Sequence, residues 1–165
     1  MSHLTASLRQ QISELVDRYP ASRSAVMPAL HLAQAHSEGN YLCQQTMREV
    51  AECLRLPPTA VLEVVTFYTS YNTEPVGRYH LQLCTNVSCM LRGADELQAH
   101  LEKQLALKTG ESSSDGLFTL SKVECLGACE QAPMMQLNDE YLGYLDEEKL
   151  NGLIQKAKED EVNTK

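Results

Sequence analysis

Paired cysteines constrain this chain more than any other feature of its sequence. Four of the six cysteines form two close pairs: Cys84 and Cys89, with four residues between them, and Cys125 and Cys129, with three. Cysteines that serve only as small buried hydrophobes have no reason to occur in pairs. Four thiolates brought together would repel one another, so the pattern favours a site that holds a metal ion or a metal cluster.

The other two cysteines, Cys43 and Cys53, have no partner at a matching spacing, and we interpret both as structural. A disulfide framework is disfavoured, because such frameworks are typical of short secreted chains. The first residues, Met1 to Arg9, contain no apolar signal core. We therefore expect a mature cytosolic chain that keeps its thiols reduced.

Composition excludes several classes of function. The 165-residue chain carries 14 Lys and Arg against 22 Asp and Glu, for a net charge of −8, and it has no Trp. This balance disfavours nucleic acid as a partner. No apolar run approaches the roughly 18 to 20 residues that a membrane-spanning helix needs, so direct membrane insertion is not expected.

The first part of the chain predicts a small helical bundle. Apolar residues recur at three- and four-residue steps, as on the buried face of an amphipathic helix. The first helix ends before Pro20, the second ends at Gly39 as its C′ residue, the third covers residues 46–54, and the fourth begins near Pro58. Pro28 removes a helical hydrogen bond beyond the first turn, so we expect a late start or a kink there.

A turn-rich segment, residues 72–77, is the best domain boundary. Charge changes across it, because residues before Gly77 carry five basic and seven acidic groups, whereas nine basic and fifteen acidic groups follow. We therefore predict a helical domain at residues 1–74 that docks a partner, and a second domain at residues 75–165.

The second domain alternates between strand and helix patterns. Right-handed strand–helix–strand crossovers make the two connected strands parallel, so their ends share one sheet edge. The predicted elements are a strand at 79–84, a helix at 94–107, a strand at 117–123, a hairpin at 134–145, a helix from Asp146 to about Lys158, and a loose tail.

Each cysteine pair therefore follows one of the two parallel strands, and the four thiols converge. Spacing alone is compatible with three kinds of site: a [2Fe–2S] cluster, a zinc ion bound by four cysteines, or a pair of reactive dithiols without a metal. Zinc knuckles usually have two residues between their cysteines, which is closer than either pair here. The small residues Gly127 and Ala128 suit a loop that wraps a two-iron cluster.

Four segments resemble the thioredoxin-like [2Fe–2S] ferredoxins. They are Cys84–Cys89, Cys125–Pro133, Val65–Tyr68 and Pro75–Arg78. The resemblance covers roughly residues 8–157. It implies an α+β chain with an N-terminal helical bundle followed by a thioredoxin-like α/β domain that carries the cluster.

The resemblance also implies how the chain would work. Cys84, Cys89, Cys125 and Cys129 would all be cluster ligands. The likeness is closest to the small iron–sulfur subunits of respiratory NADH–quinone oxidoreductases (complex I), with related subunits in NAD-linked hydrogenases and formate dehydrogenases. It implies a one-electron carrier beside the FMN- and NADH-binding flavoprotein subunit and other peripheral-arm subunits, on the cytoplasmic side of a bacterial inner membrane.

The sequence motifs indicate that the chain has no complete active site of its own. It contains no Gly-x-Gly-x-x-Gly and no Walker-type glycine loop, so hydride chemistry needs another subunit. A thioredoxin-like oxidoreductase would carry Cys-x-x-Cys, which neither pair provides. A structural zinc module that recruits partners remains the alternative outside redox chemistry.

Charged residues near the cysteine pairs and aromatic residues near the domain boundary are further candidates for a functional role. Glu124 and Glu130 flank the second pair and would lower the reduction potential of a negatively charged cluster, whereas Lys122 and Arg92 would offset them. Solvation of both glutamates would cancel the effect. Near the domain boundary, Phe67, Tyr68 and Tyr71 are either interface anchors or core residues.

Overall fold

A computed structural model describes residues 3–164 of the chain, and the side chains of residues 3–162. The chain divides into two compact units, Met1–Pro75 and Val76–Lys165. The first unit is helical, and the second is built on a sheet.

In its described part, residues 3–75, the helical unit contains four α-helices joined by short connections. Capping chemistry sets where they begin: the Thr5 hydroxyl accepts the Leu8 N–H at 3.2 Å, and Pro58 takes the first position of its helix, where no N–H is needed. The helices are α1 (Ala6–Val16), α2 (Val26–Ala35), α3 (Gln44–Leu54) and α4 (Pro58–Phe67).

Pro28 is accommodated because α2 starts late, as expected. A 3₁₀ turn, Ser22–Ala25, precedes α2, so Pro28 lies in the first helical turn, where a backbone N–H has no partner within the helix. The prediction that this helix reaches Gly39 is wrong. The helix ends at Ala35, and Gly39, at φ +79°, belongs to the turn that follows.

Apolar faces of the four helices form one core. On α1, Leu8 and Ile12 are buried as the stripe predicted, whereas Tyr19 lies beyond the helix and is exposed. The large side chains of this core that are at most 1% exposed include Ile12, Leu30, Leu42, Val50, Leu54 and Val61.

The second unit is built on a four-stranded mixed sheet in the order β2-β1-β3-β4. Its strands are β1 (Tyr79–Cys84), β2 (Phe118–Val123), β3 (Met135–Leu137) and β4 (Glu140–Leu142). The predicted parallel pairing of β1 with β2 is confirmed, and β3 and β4 form the predicted antiparallel hairpin.

Three helices accompany this sheet: α5 (Val87–Met90), α6 (Ala94–Leu105) and α7 (Glu147–Thr164). The crossover helix α6 packs on β1 and β2. As predicted, Asp146 caps α7, since its carboxylate accepts the Lys149 N–H at 2.8 Å. The prediction of a loose tail is wrong for residues 159–164, because α7 continues and an Arg78–Glu161 ion pair of 3.0 Å holds its last turns.

These elements confirm the predicted α+β class, in which helices precede a mixed sheet. Within residues 3–164, none of the helices is both long enough and apolar enough to span a bilayer.

Candidate functional site

The parallel strands β1 and β2 deliver both cysteine pairs to one edge of the sheet. Cys84 is the last residue of β1 and lies opposite Val123, the last residue of β2. The Thr85 N–H donates to the Val123 carbonyl at 3.0 Å, so the two chains leave the sheet side by side. Cys125 follows Val123 by two residues.

Cys84 and Cys89 lie inside the protein and contact each other. They are 3% and 1% exposed, and both belong to one buried cluster. The short helix α5 carries Cys89 back towards Cys84, and the Asn86 side chain caps it by accepting the Val87 N–H at 2.8 Å. A helix of four residues is too short for periodicity to reveal, so sequence reasoning missed it, although Asn86 signals its start.

Cys125 and Cys129 are exposed and lie in the segment after β2, where Cys129 begins a 3₁₀ turn. Gly127, at φ +75°, turns the backbone so that its N–H donates to the Cys125 sulfur at 3.3 Å. Left-handed backbone of this kind favours glycine. Backbone N–H donors to sulfur stabilise the thiolate form and tune iron–sulfur sites.

The pKa of Cys89 depends on the charges of two other cysteines of the proposed site. The pKa of Cys89 is raised, first by burial, then by the hydrogen bond with Cys84, and also by the negative charge of the Cys84 and Cys129 thiolates. The Met134 N–H donates to Cys89 and acts in the opposite direction. Without a cation, the arrangement therefore disfavours the Cys89 thiolate, the form that metal ligation requires.

The donor set fits a two-iron cluster in number and chemistry, since four cysteine thiolates are its standard ligands. Small side chains pack in one buried cluster with Cys84 and Cys89, among them Ala94, Ala128 and Ala132. Within residues 3–164, no three His, Cys, Asp or Glu side chains are grouped tightly enough to hold a single metal ion. The structure thus brings Cys84 and Cys89 together in one buried cluster, with the Cys129 thiolate close enough for its charge to act on Cys89.

The charged residues predicted to tune the site all lie in solvent. Glu124, Glu130, Lys122 and Arg92 are exposed. Solvent screens exposed charges, so each has at most a modest effect on the cysteines.

Cys43 and Cys53 belong to the helical unit. The Cys43 sulfur caps α3 by accepting the Thr46 N–H at 3.4 Å, a role that the sequence did not predict. Burial raises the pKa of Cys43, but the hydrogen bonds from Thr46 outweigh it, so the net shift is downward. Cys53 packs against the bundle core.

The boundary aromatics divide into one core residue and two surface residues. Tyr71 is 6% exposed, and its hydroxyl donates to the Met27 carbonyl at 3.1 Å. Burial raises the pKa of Tyr71 to about 12. Phe67 and Tyr68 are 76% and 41% exposed, which makes them the available anchors for a partner.

Comparison with known proteins agrees with this geometry. The family described as thioredoxin-like [2Fe–2S] ferredoxin matches residues 12–158. An E-type subunit of NADH-quinone oxidoreductase from Rhizobium meliloti (strain 1021) is 50% identical over 149 residues, which cover 90% of this chain and 88% of that protein. The E-type subunit of NADH-quinone oxidoreductase from Rickettsia prowazekii (strain Madrid E) is 44% identical over 143 residues, covering 86% and 80%.

A solved structure is also similar: NAD⁺-reducing [NiFe]-hydrogenase in its air-oxidised state has a TM-score of 0.70 at 25% identity. The match covers 82% of this chain and 23% of the longer hydrogenase chain. These findings confirm the resemblance and support an iron–sulfur electron carrier subunit. By the match over residues 12–158 and by its relatives, the chain belongs to the thioredoxin-like [2Fe–2S] ferredoxin family.

Proposed function

We propose that this chain is the one-electron carrier subunit of an NADH–quinone oxidoreductase (complex I) and holds a [2Fe–2S] cluster next to the FMN- and NADH-binding subunit. Cys84, Cys89, Cys125 and Cys129 are its proposed ligands. The observation that carries this proposal is the parallel pairing of β1 and β2, which sends both cysteine loops to one sheet edge.

A bound [2Fe–2S] cluster supplies reversible one-electron chemistry. The residues of this chain hold it and set its surroundings. Cys84 and Cys89 provide a buried, water-poor side, whereas Cys125 and Cys129 lie at the surface, where a partner can approach. The N–H groups of Gly127 and Met134 donate to sulfur and offset part of the negative charge.

Partner docking is the proposed role of the helical domain, residues 1–74. Phe67 and Tyr68 at the end of α4 are exposed and adjacent, with ring centroids 4.9 Å apart. Exposed aromatic pairs of this kind are typical anchors of protein interfaces. We propose the flavoprotein and other peripheral-arm subunits as partners, on the cytoplasmic side of the bacterial inner membrane. We propose that the chain neither binds nucleic acid nor inserts into the membrane.

An NAD-linked hydrogenase or formate dehydrogenase is the second candidate assembly. The likeness to an NAD⁺-reducing hydrogenase, with a TM-score of 0.70, favours it specifically. The identity of 50% to a relative named for the quinone oxidoreductase favours the first assembly. A structural zinc module would need no redox partner at all.

Purification of the complex from cells that express a tagged chain tests the proposal. We expect an FMN-containing subunit to copurify and NADH to produce an electron paramagnetic resonance (EPR) signal from this chain. A hydrogenase subunit in the complex would favour the second assembly. A zinc-loaded chain without labile sulfide would contradict both assemblies.

The docking role needs a separate comparison. Phe67→Ala combined with Tyr68→Ala should weaken copurification, whereas Tyr141→Ala, an equally exposed aromatic on β4, serves as the matched control. Equal recovery of the partner with both variants would refute docking through the helical domain.

A further inference from the structure

The segment that follows β4 packs against the turn that carries Cys129. The Tyr144 N–H donates to the Gln131 carbonyl at 2.7 Å, and the Leu145 N–H donates to the Pro133 carbonyl at 2.9 Å. Neither bond belongs to the sheet ladder, so both tie the end of the hairpin to the loop of the second cysteine pair.

Gly143 makes this contact close. A Cβ atom at position 143 would collide with the Cβ of Gln131 and would lie 2.7 Å from its Oε1 and 3.1 Å from its backbone oxygen. The Cβ of Gln131 is fixed to the backbone, so a different side-chain rotamer cannot relieve the collision. Any larger residue at position 143 must therefore shift the backbone of this segment and the backbone of the turn relative to each other.

A displacement at Gln131 reaches Cys129 directly, because both belong to one 3₁₀ turn, Cys129–Gln131. The Gln131 N–H donates to the Ala128 carbonyl at 3.0 Å, and the Ala132 N–H donates to the Cys129 carbonyl at 3.2 Å. These bonds leave the turn little room to absorb a shift before the cysteine moves.

Tyr144 shows that this segment is firmly held. Its φ of +52° lies in the left-handed region, which is uncommon for a bulky residue. The N–H bond to Gln131 and the Lys149 ammonium, which donates to the Tyr144 carbonyl at 2.5 Å, hold it there. Such backbone conformations persist only where the surroundings determine them.

We propose that Gly143 is a positioning residue for Cys129. Because Gly143 has no side chain, the end of the hairpin can pack closely against the 3₁₀ turn, and this packing fixes the position of the Cys129 sulfur. The inference rests on the proposed function in so far as Cys129 is a cluster ligand.

The test compares four forms of the full chain with its cluster: wild type, Gly143→Ala, Gln131→Gly, and the double variant, in which the colliding Cβ is gone. Gly152→Ala is the matched control, since nothing lies within 4 Å of a Cβ there. We expect Gly143→Ala to change the visible circular dichroism and the EPR g values, and the double variant to restore them. Wild-type spectra in folded Gly143→Ala would overturn the proposal.

Amide exchange separates this inference from the proposed function. In the same variants, the Tyr144 and Leu145 amides should exchange about tenfold faster in Gly143→Ala and return towards wild type in the double variant. A wild-type chain without iron or sulfide would overturn the proposed function, and exchange alone would then decide whether Gly143 seats the turn. Unchanged exchange in Gly143→Ala would refute that seating.

Discussion

The buried imidazole of His80 makes the stability of the sheet unit depend on pH. His80 lies on β1, the strand that ends at Cys84, and is 6% exposed, with its Nε2 2.9 Å from the Ser121 hydroxyl. Burial lowers its pKa from 6.5 to about 4. The folded chain therefore keeps His80 neutral at a pH where the unfolded chain binds a proton.

The difference between the two pKa values of His80 fixes the sign and the size of the change in unfolding free energy with pH. Above pH 6.5 the group is neutral in both states and contributes no pH dependence. As the pH falls from 6.5 to 4, only the unfolded state gains the proton, so the folded state loses stability, by about 3 kcal/mol at pH 4 and about 2 kcal/mol at pH 5.

Urea unfolding of wild type and His80→Gln between pH 7.5 and 5 measures this loss. The NMR signals of β1 residues should be followed, so that the sheet unit is observed by itself. Glutamine keeps a polar nitrogen near the Ser121 hydroxyl but does not titrate, and the carboxylates common to both chains cancel in the difference. We expect wild type to lose about 2 kcal/mol more than the variant. If the unfolding free energies of wild type and variant changed equally with pH, or if the His80 imidazole signal of the folded chain titrated near pH 6.5, burial would not lower the pKa of His80.

Three further predictions concern packing, a buried ion pair and the potential. Gly77→Ala should destabilise the sheet unit by about 1–3 kcal/mol in urea unfolding, because its Cβ would lie 2.7 Å from the Phe118 carbonyl carbon; an unchanged midpoint would contradict this. Glu49→Ala should cost the helical unit about 1–3 kcal/mol in the same assay, because the buried carboxylate, which pairs with Arg9 at 2.9 Å, also accepts the buried Leu4 N–H at 2.8 Å, and that donor would lose this partner; equal midpoints in variant and wild type would contradict it. Glu130→Lys should raise the midpoint potential of the cluster slightly, since the residue is exposed and screened; a redox titration that does not move would remove Glu130 from the account.

Sequence patterns predicted the elements whose signals are long and periodic. The alternation at 79–84 and 117–123 marked β1 and β2, and the crossover rule then gave their parallel pairing. That pairing is why four cysteines separated by up to 45 positions could be expected at one sheet edge.

Features that depend on tertiary contacts or on very short elements could not be predicted in this way. The four-residue helix α5 is too short for periodicity, and the Arg78–Glu161 ion pair in the last turns of α7 joins residues 83 positions apart. The close approach of Gly143 to Gln131 likewise exists only in the folded chain. Cys43 as a helix cap was missed because cysteine is not among the usual capping residues.

The four-cysteine cluster is tested most directly by counting iron and acid-labile sulfide in the purified chain and recording the EPR spectrum of its reduced form. We expect two irons and two sulfides per chain. We also expect loss of the signal, or a changed spectrum, in each of Cys84→Ser, Cys89→Ser, Cys125→Ser and Cys129→Ser. Cys43→Ser, in which serine keeps the cap of α3, should retain the wild-type spectrum. Zinc without sulfide, or a wild-type spectrum in any of the four variants, would contradict the four-cysteine cluster.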